Sequence, residues 1–286
     1  MYSDTHFHFE NFCSRRIDGS EVLSKMAQND CFFGLDIGTE HDDLHRRIEC
    51  INSSLNQISD QNIVQKCKKF LYFASGIWPS PEEIKNRNQN FKILKEQITS
   101  SPQKIIALGE CGLDHHWNIN NPDKRNENDF SPELLHGEKE LFEMQLDYAK
   151  KNNLPVIIHS RDAFLETFES IKNVGHNKGI IHCYSYGQKE AEQFLSLGYF
   201  ISFSGSVTYT KKSKMPEMEN LIKSIPNDFL LLETDSPYLA PVPFRGNTNS
   251  PLLITNTYEF IAKIKNISVE ELCQIVDKNI KNLFKL

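Results

Sequence analysis

Among the 286 residues, the seven cysteines form no Cys-x-x-Cys pair; they stand singly at positions 13, 31, 50, 67, 111, 183 and 273. An odd, unpatterned set argues against a disulfide framework and reads as reduced thiols in a cytoplasmic setting. No apolar stretch approaches the roughly 20 residues that a membrane-spanning helix needs. Met1-Tyr2-Ser3-Asp4 leads into the first apolar run without the basic and apolar regions of a secretion signal. An excess of positive charge is missing as well. A formal net charge of −6 speaks against a protein that coats nucleic acid through a basic surface. It leaves a nuclease open, because carboxylates that hold divalent ions reverse the local sign. Finally, no glycine-rich phosphate turn follows the first run, which argues against an open, doubly wound nucleotide-binding sheet.

What is present is an alternation. Strand-like apolar runs cover residues 1–9, 31–37, 70–75, 105–110, 154–159, 179–182, 199–202 and 229–233. Amphipathic stretches near 19–29, 41–57, 81–98, 131–152, 162–173, 188–197, 216–225, 251–264 and 268–284 predict helices between and after them. Pro81, Pro132 and Pro251 fall where first helical turns should begin. Eight buried strands alternating with helices predict an α/β protein, a (β/α)8 TIM barrel formed as a single domain over 1–286. The polar segment 118–129 predicts a long loop after the fourth strand.

The histidines and acids fall at the ends of these runs. His6 and His8 close the first, Glu110 the fourth, His159 the fifth and His182 the sixth, and Asp235 follows the eighth. In a parallel barrel those ends share one face, where such enzymes carry their chemistry. His6 and His8, two apart on a strand, point the same way and can reach one ion. Glu110 is a buried carboxylate that must be paired or coordinate metal: it forms a salt bridge to a barrel lysine, or it bridges two ions with one oxygen on each. His159 and His182 taken singly read as satisfied core histidines; with Glu110 they complete a second nitrogen and oxygen site. Asp235 either caps a turn or holds an ion and takes a proton from attacking water. Two such ions suit in-line attack on a phosphodiester.

Five ordered segments carry a resemblance. Asp4-Thr5-His6-x-His8, Gly109-Glu110-x-Gly112-Leu113-Asp114, Ile158-His159-Ser160-Arg161-Asp162-Ala163, His182-Cys183 and the run Glu233 to Pro241 are similar to those of the TatD family of metal-dependent deoxyribonucleases. Pro243-Phe244-Arg245-Gly246 and Asn279-x-x-x-Leu283-Phe284 extend the match over almost the whole chain. The resemblance implies an amidohydrolase-type TIM barrel, two divalent cations (Mg, Zn or Mn) and hydrolysis of DNA phosphodiesters, often as a 3′–5′ exonuclease on single strands or 3′ ends. It implies that His6, His8, Glu110 and Asp235 bind the first ion, and that Glu110, His159 and His182 bind the second. Asp235 and Glu110 are the expected catalytic residues, and a monomer is the expected form.

Three positions depart from the family pattern. Trp78 stands in Gly76-Ile77-Trp78-Pro79 where the family has histidine, and a base-stacking platform is one replacement role. Glu10 replaces the usual aspartate, and His182-Cys183-Tyr184-Ser185-Tyr186-Gly187 has one extra residue. Arg161 contacts substrate phosphate or is a structural ion-pair partner near Asp162. Lys211 and Lys212 draw a DNA backbone by charge or are simply solvated. Trp117, Tyr209, Tyr238 and Phe244 stack on bases or pack in loops. Two other functional classes compete: an amidohydrolase acting on an amide, lactone or ester, and a silent nucleic-acid or protein adaptor. The former class generally uses a carboxylated lysine at the end of strand four, where this chain has Glu110; the nearest lysine, Lys104, begins that strand.

Overall fold

A computed structural model describes residues 2–101, 105–116 and 127–286. Lys104, Trp117 and most of the polar segment 118–129 lie outside the described residues; Glu127–Phe130 forms a short 3-10 turn. Eight parallel strands run in sequence order around a barrel: β1 Ser3–Phe7, β2 Phe33–Ile37, β3 Leu71–Ser75, β4 Ile105–Asp114, β5 Val156–Arg161, β6 Gly179–Ile181, β7 Phe200–Phe203 and β8 Leu230–Leu232. The expected TIM barrel is the observed fold.

Helices cover the outside: α1 Phe9–Cys13, α2 Gly19–Gln28, α3 Leu44–Asn56, α4 Gln61–Phe70, α5 Pro81–Lys85, α6 Arg87–Ser100, α7 Pro132–Lys151, α8 Phe164–Val174, α9 Gln188–Ser196, α10 Met215–Ser224, α11 Ile254–Lys265 and α12 Val269–Phe284. Their starts follow local chemistry. Asp18, Asp60, Ser80, Ser131 and Ser268 accept hydrogen bonds from first-turn amides, and Pro81 and Pro132 occupy first-turn positions. Pro251 instead opens a 3-10 turn, Pro251–Leu253, ahead of α11. No helix among the described residues is long and apolar enough to cross a membrane.

Several boundaries differ from the expected ones: the helix expected over 81–98 is two, α5 and α6, and β5 runs past His159 to Arg161. β1 stops at Phe7, and His8 is the extended N-cap of α1. The helix α4 was not expected; its buried stripe, Val64, Cys67 and Phe70, is regular but short, and it is a second helix in the β2–β3 connection after α3. Phe70, expected to start β3, ends this helix. β4 runs four residues beyond Glu110, pairing Cys111 with Ile158 and Asp114 with Arg161.

The barrel closes at the strand-end face. β1 and β8 meet through a single parallel bridge, Phe7 with Ser236. His8 N donates to Ser236 O at 2.8 Å and Asp235 N to His6 O at 2.9 Å. Buried Asp4 ties the same seam, accepting from Thr234 N at 2.9 Å and from its hydroxyl at 2.6 Å. Burial pushes the Asp4 carboxyl up to about 8 against the pull of those bonds.

Candidate metal centre

Glu110 reaches the middle of the strand-end face because glycine flanks it. Gly109 and Gly112 both have φ of 152°, a conformation that side chains strongly disfavour. A Cβ on Gly112 would lie 1.8 Å from His159 O, and one on Gly109 would lie 2.6 Å from Ile157 Cβ. The backbone of β4 therefore presses against β5 as only glycine allows.

The six expected side chains converge. Glu110 Oε2 lies 3.3 Å from His6 Nε2 and 3.6 Å from His8 Nε2. These two nitrogens are 3.2 Å apart and lie 3.7 and 3.5 Å from Asp235 Oδ1. The other oxygen of Glu110, Oε1, lies 3.0 Å from both His159 Nδ1 and His182 Nε2. Among the described residues, two compact groups can hold an ion: His6, His8 and Asp235, and His6, Glu110 and His182. The second includes His6 where His159 was expected, because the His6 and His182 rings stack at 4.1 Å; His159 nonetheless reaches the same Glu110 oxygen. The side chains of Asp235 and His159, 13% and 16% exposed, are the open members.

The donor set fits divalent cations. Donors held about 2.1 Å from one cation lie roughly 3.0–3.4 Å from their neighbours, close to the spacings above. Outer acceptors also fix the rings. His8 Nδ1 donates to Ile37 O at 3.0 Å, while His182 Nδ1 faces Glu233 Oε1 at 3.3 Å and His159 Nε2 faces Asp114 Oδ2 at 3.0 Å. In the neutral ring, each such contact leaves the inner nitrogen with its lone pair turned toward Glu110 or Asp235.

Without cations the same groups share protons. Burial opposes a charged Glu110, but His182 and hydrogen bonds from His159, His182 and His6 outweigh it and hold the carboxyl well below its usual range. Burial likewise opposes protonation of His159, yet Asp114 and Glu110 raise it to about 9. His182 rises well above normal against burial through Glu110 and Glu233, and His8 rises through Asp235 and Glu110. His6, buried beside His182, is lowered.

Sequence reasoning missed the roles of Asp114 and Glu233, although both stand in the quoted segments. Glu233 also accepts from Cys183 N and the Ser202 hydroxyl, each at 2.6 Å. Their signal was the one that marked the inner six: a carboxylate at the end of an apolar run. The remaining expected residues lie further out. Trp78 stands edge-on to His159, with ring centroids 5.9 Å apart. Arg161 lies 3.9 Å from Asp114 Oδ2, across the β4–β5 pairing, and not against Asp162, which pairs with His116. Lys211 and Lys212 are exposed on the segment after β7. Glu10 pairs with Arg46 at 2.6 Å.

A parallel barrel with histidines and carboxylates clustered at its strand ends defines a metal-dependent hydrolase of the amidohydrolase type. The model of the family described as "TatD related DNase" matches residues 3–285, and the chain belongs to that family. It is 37% identical over 219 residues to YabD of Bacillus subtilis (strain 168), an uncharacterized metal-dependent hydrolase, covering 76% of this chain and 78% of that one. It is 30% identical over 288 residues to YcfH of Escherichia coli (strain K12), also an uncharacterized metal-dependent hydrolase, covering 99% and 95%. Among solved structures, YjjV, a TatD homolog from E. coli K12, superposes with a TM-score of 0.79 at 26% identity, covering 100% of this chain and 98% of that one. An organophosphorus hydrolase from Deinococcus radiodurans shares the fold alone, with a TM-score of 0.61 at 14% identity over 93% and 83%.

Proposed function

We propose that the protein is a two-metal deoxyribonuclease that hydrolyses phosphodiester bonds in single-stranded DNA or at 3′ ends, in the 3′–5′ direction. One observation carries this reading: the two oxygens of Glu110 face two separate sets of donors. His6, His8, Asp235 and Oε2 of Glu110 would hold one divalent cation; His159, His182 and Oε1 would hold the other. Bound there, Mg²⁺, Mn²⁺ or Zn²⁺ would acidify a water and neutralise charge on the phosphodiester.

The chain's own groups do the rest. Asp235, one of the two open members, accepts the proton of the attacking water. Glu110 fixes the separation of the two donor sets. Asp114 and Glu233 hold the His159 and His182 rings in orientation. Trp78, beside His159, offers a face to a base, and Lys211, Lys212 and the outer side of Arg161 attract the backbone. Glu110 stands where lactone- and amide-cleaving relatives use a carboxylated lysine, which supports the nuclease over that alternative.

Digestion of 5′- and 3′-labelled single-stranded DNA by protein reconstituted with each metal tests the reading. Progressive shortening from the 3′ end is expected with at least one metal. The reading fails if Glu110→Ala and Asp235→Asn each digest DNA at the wild-type rate.

A further inference from the structure

The rim beside His8 and Asp235 carries two arginines that, among the described residues, have no carboxylate partner. Arg15, in the turn after α1, lies over the ring of Tyr238, its guanidinium carbon 4.8 Å from the centroid. Tyr238 in turn stands edge-on to His8, with ring centroids 6.1 Å apart. Arg245 lies over the ring of Tyr209 at 4.4 Å, and the Tyr209 hydroxyl donates to Ala240 O. By contrast, Arg46, Arg47, Arg87 and Arg161 each face a carboxylate; exposed Arg16 shares the lack of a carboxylate, so it is the stacking on Tyr238 and Tyr209 that sets Arg15 and Arg245 apart.

This rim is built. Asn249, fully buried, donates from Nδ2 to Thr234 O at 2.9 Å and to Tyr238 O at 2.6 Å. Val242 N donates to the Thr208 hydroxyl at 2.9 Å, joining the segments after β7 and β8. Thr234 precedes Asp235, so the rim and the donor cluster share one frame. A solvated arginine needs no such support. Arg15 Nη1 donates to Pro237 O at 3.5 Å; stacking on an aromatic face leaves the remaining N–H groups of a planar guanidinium available to phosphate oxygens. Both arginines and Tyr238 are exposed, on a chain whose net charge of −6 does not otherwise invite an anionic polymer.

We propose that Arg15 and Arg245, held by Tyr238 and Tyr209, bind backbone phosphates of a nucleic-acid single strand on the β1–β8 side of the cleaved bond. The proposal rests on the phosphodiesterase reading above and adds the path of the strand. It places phosphates along the His8 and Asp235 side of the cluster, in addition to any held by Arg161 near His159.

Anisotropy titration of the metal-loaded protein tests this. The probe is a fluorescein-labelled single strand of about 12 nucleotides with a phosphorothioate backbone, which keeps its charge and resists hydrolysis, titrated across a range of NaCl concentrations. Each phosphate contact on a single strand contributes about 0.7 to the slope of log affinity against log salt. Arg15→Ala and Arg245→Ala are each expected to weaken binding roughly fivefold, irrespective of sequence, and to shallow the slope by about 0.7. Arg46→Ala removes the same charge from a side chain already held by Glu10 and Glu40, and its slope should match wild type. The proposal is overturned if either rim variant keeps the wild-type slope, or if Arg46→Ala shallows it equally. Cleavage of the natural strand, assayed in parallel, distinguishes the two levels. Wild-type cleavage with unchanged slopes in the rim variants removes the rim alone; neither cleavage nor strand binding by wild type removes the phosphodiesterase reading and the rim with it.

Discussion

Glu110 has ring nitrogens of four histidines within 3.6 Å of its two oxygens, one oxygen facing each half of the cluster. Glu110→Ala should therefore abolish metal-dependent hydrolysis, whereas Asp235→Asn, which keeps shape and one oxygen, should slow it by about 10²–10⁴-fold. Initial rates on labelled DNA at saturating metal would separate the two. Glu233→Gln should act through His182, costing roughly 10–100-fold in metal affinity by isothermal titration. All six inner donors were legible because each closes an apolar run, and strand ends meet in a parallel barrel. Which nitrogen of each ring turns inward was not. That choice is set by Ile37, Asp114 and Glu233, acceptors brought in from other strands or, for Ile37, from the end of β2. Arg161 could be read two ways in the sequence because its partner Asp114 lies across a strand pairing, not beside it in the chain.

At the level of elements, β4 is the strand that positions the site, and glycine is its operative residue. Gly112→Ala would drive a methyl group into His159 O in a backbone conformation alanine disfavours. A loss of about 4 kcal/mol or more is expected, read from the midpoint of a denaturant melt. The same glycine explains why the strand seemed to end early. A residue with weak strand preference reads as a terminus, yet here it allows the close approach that lets pairing with β5 continue to Asp114. The helix α4 was hidden for another reason: Val64, Cys67 and Phe70 recur every third residue, but over only ten residues and in a connection where α3 already supplies the expected helix. Elements with broad apolar faces, such as α7 and α12, stood where the spacing put them.

For the whole molecule, the donors come from or just beyond β1, β4, β5, β6 and β8, so a bound cation links strands around the barrel. Ligand present at 100 times its dissociation constant stabilises by about 2.7 kcal/mol. Chelation is therefore expected to lower the melting temperature by roughly 5–10 °C in a thermal scan. Glu110→Ala should shrink that difference, and a metal-independent melting temperature in the wild type would contradict the proposed occupancy.

The seam between β1 and β8 also sets a timetable. Asp4 and Thr234, which tie it, are 230 residues apart, and contacts so distant in sequence can form only after most of the chain exists. On the ribosome, His6 and His8 are made before the other donors, and they wait through seven further strands for Asp235. A chain halted before β8 would carry five of the six donors without the sixth or the barrel's closure. The donor cluster is thus completed only when β8 joins the barrel, and a hydrolase of this design stays open at its metal centre until that strand is in place.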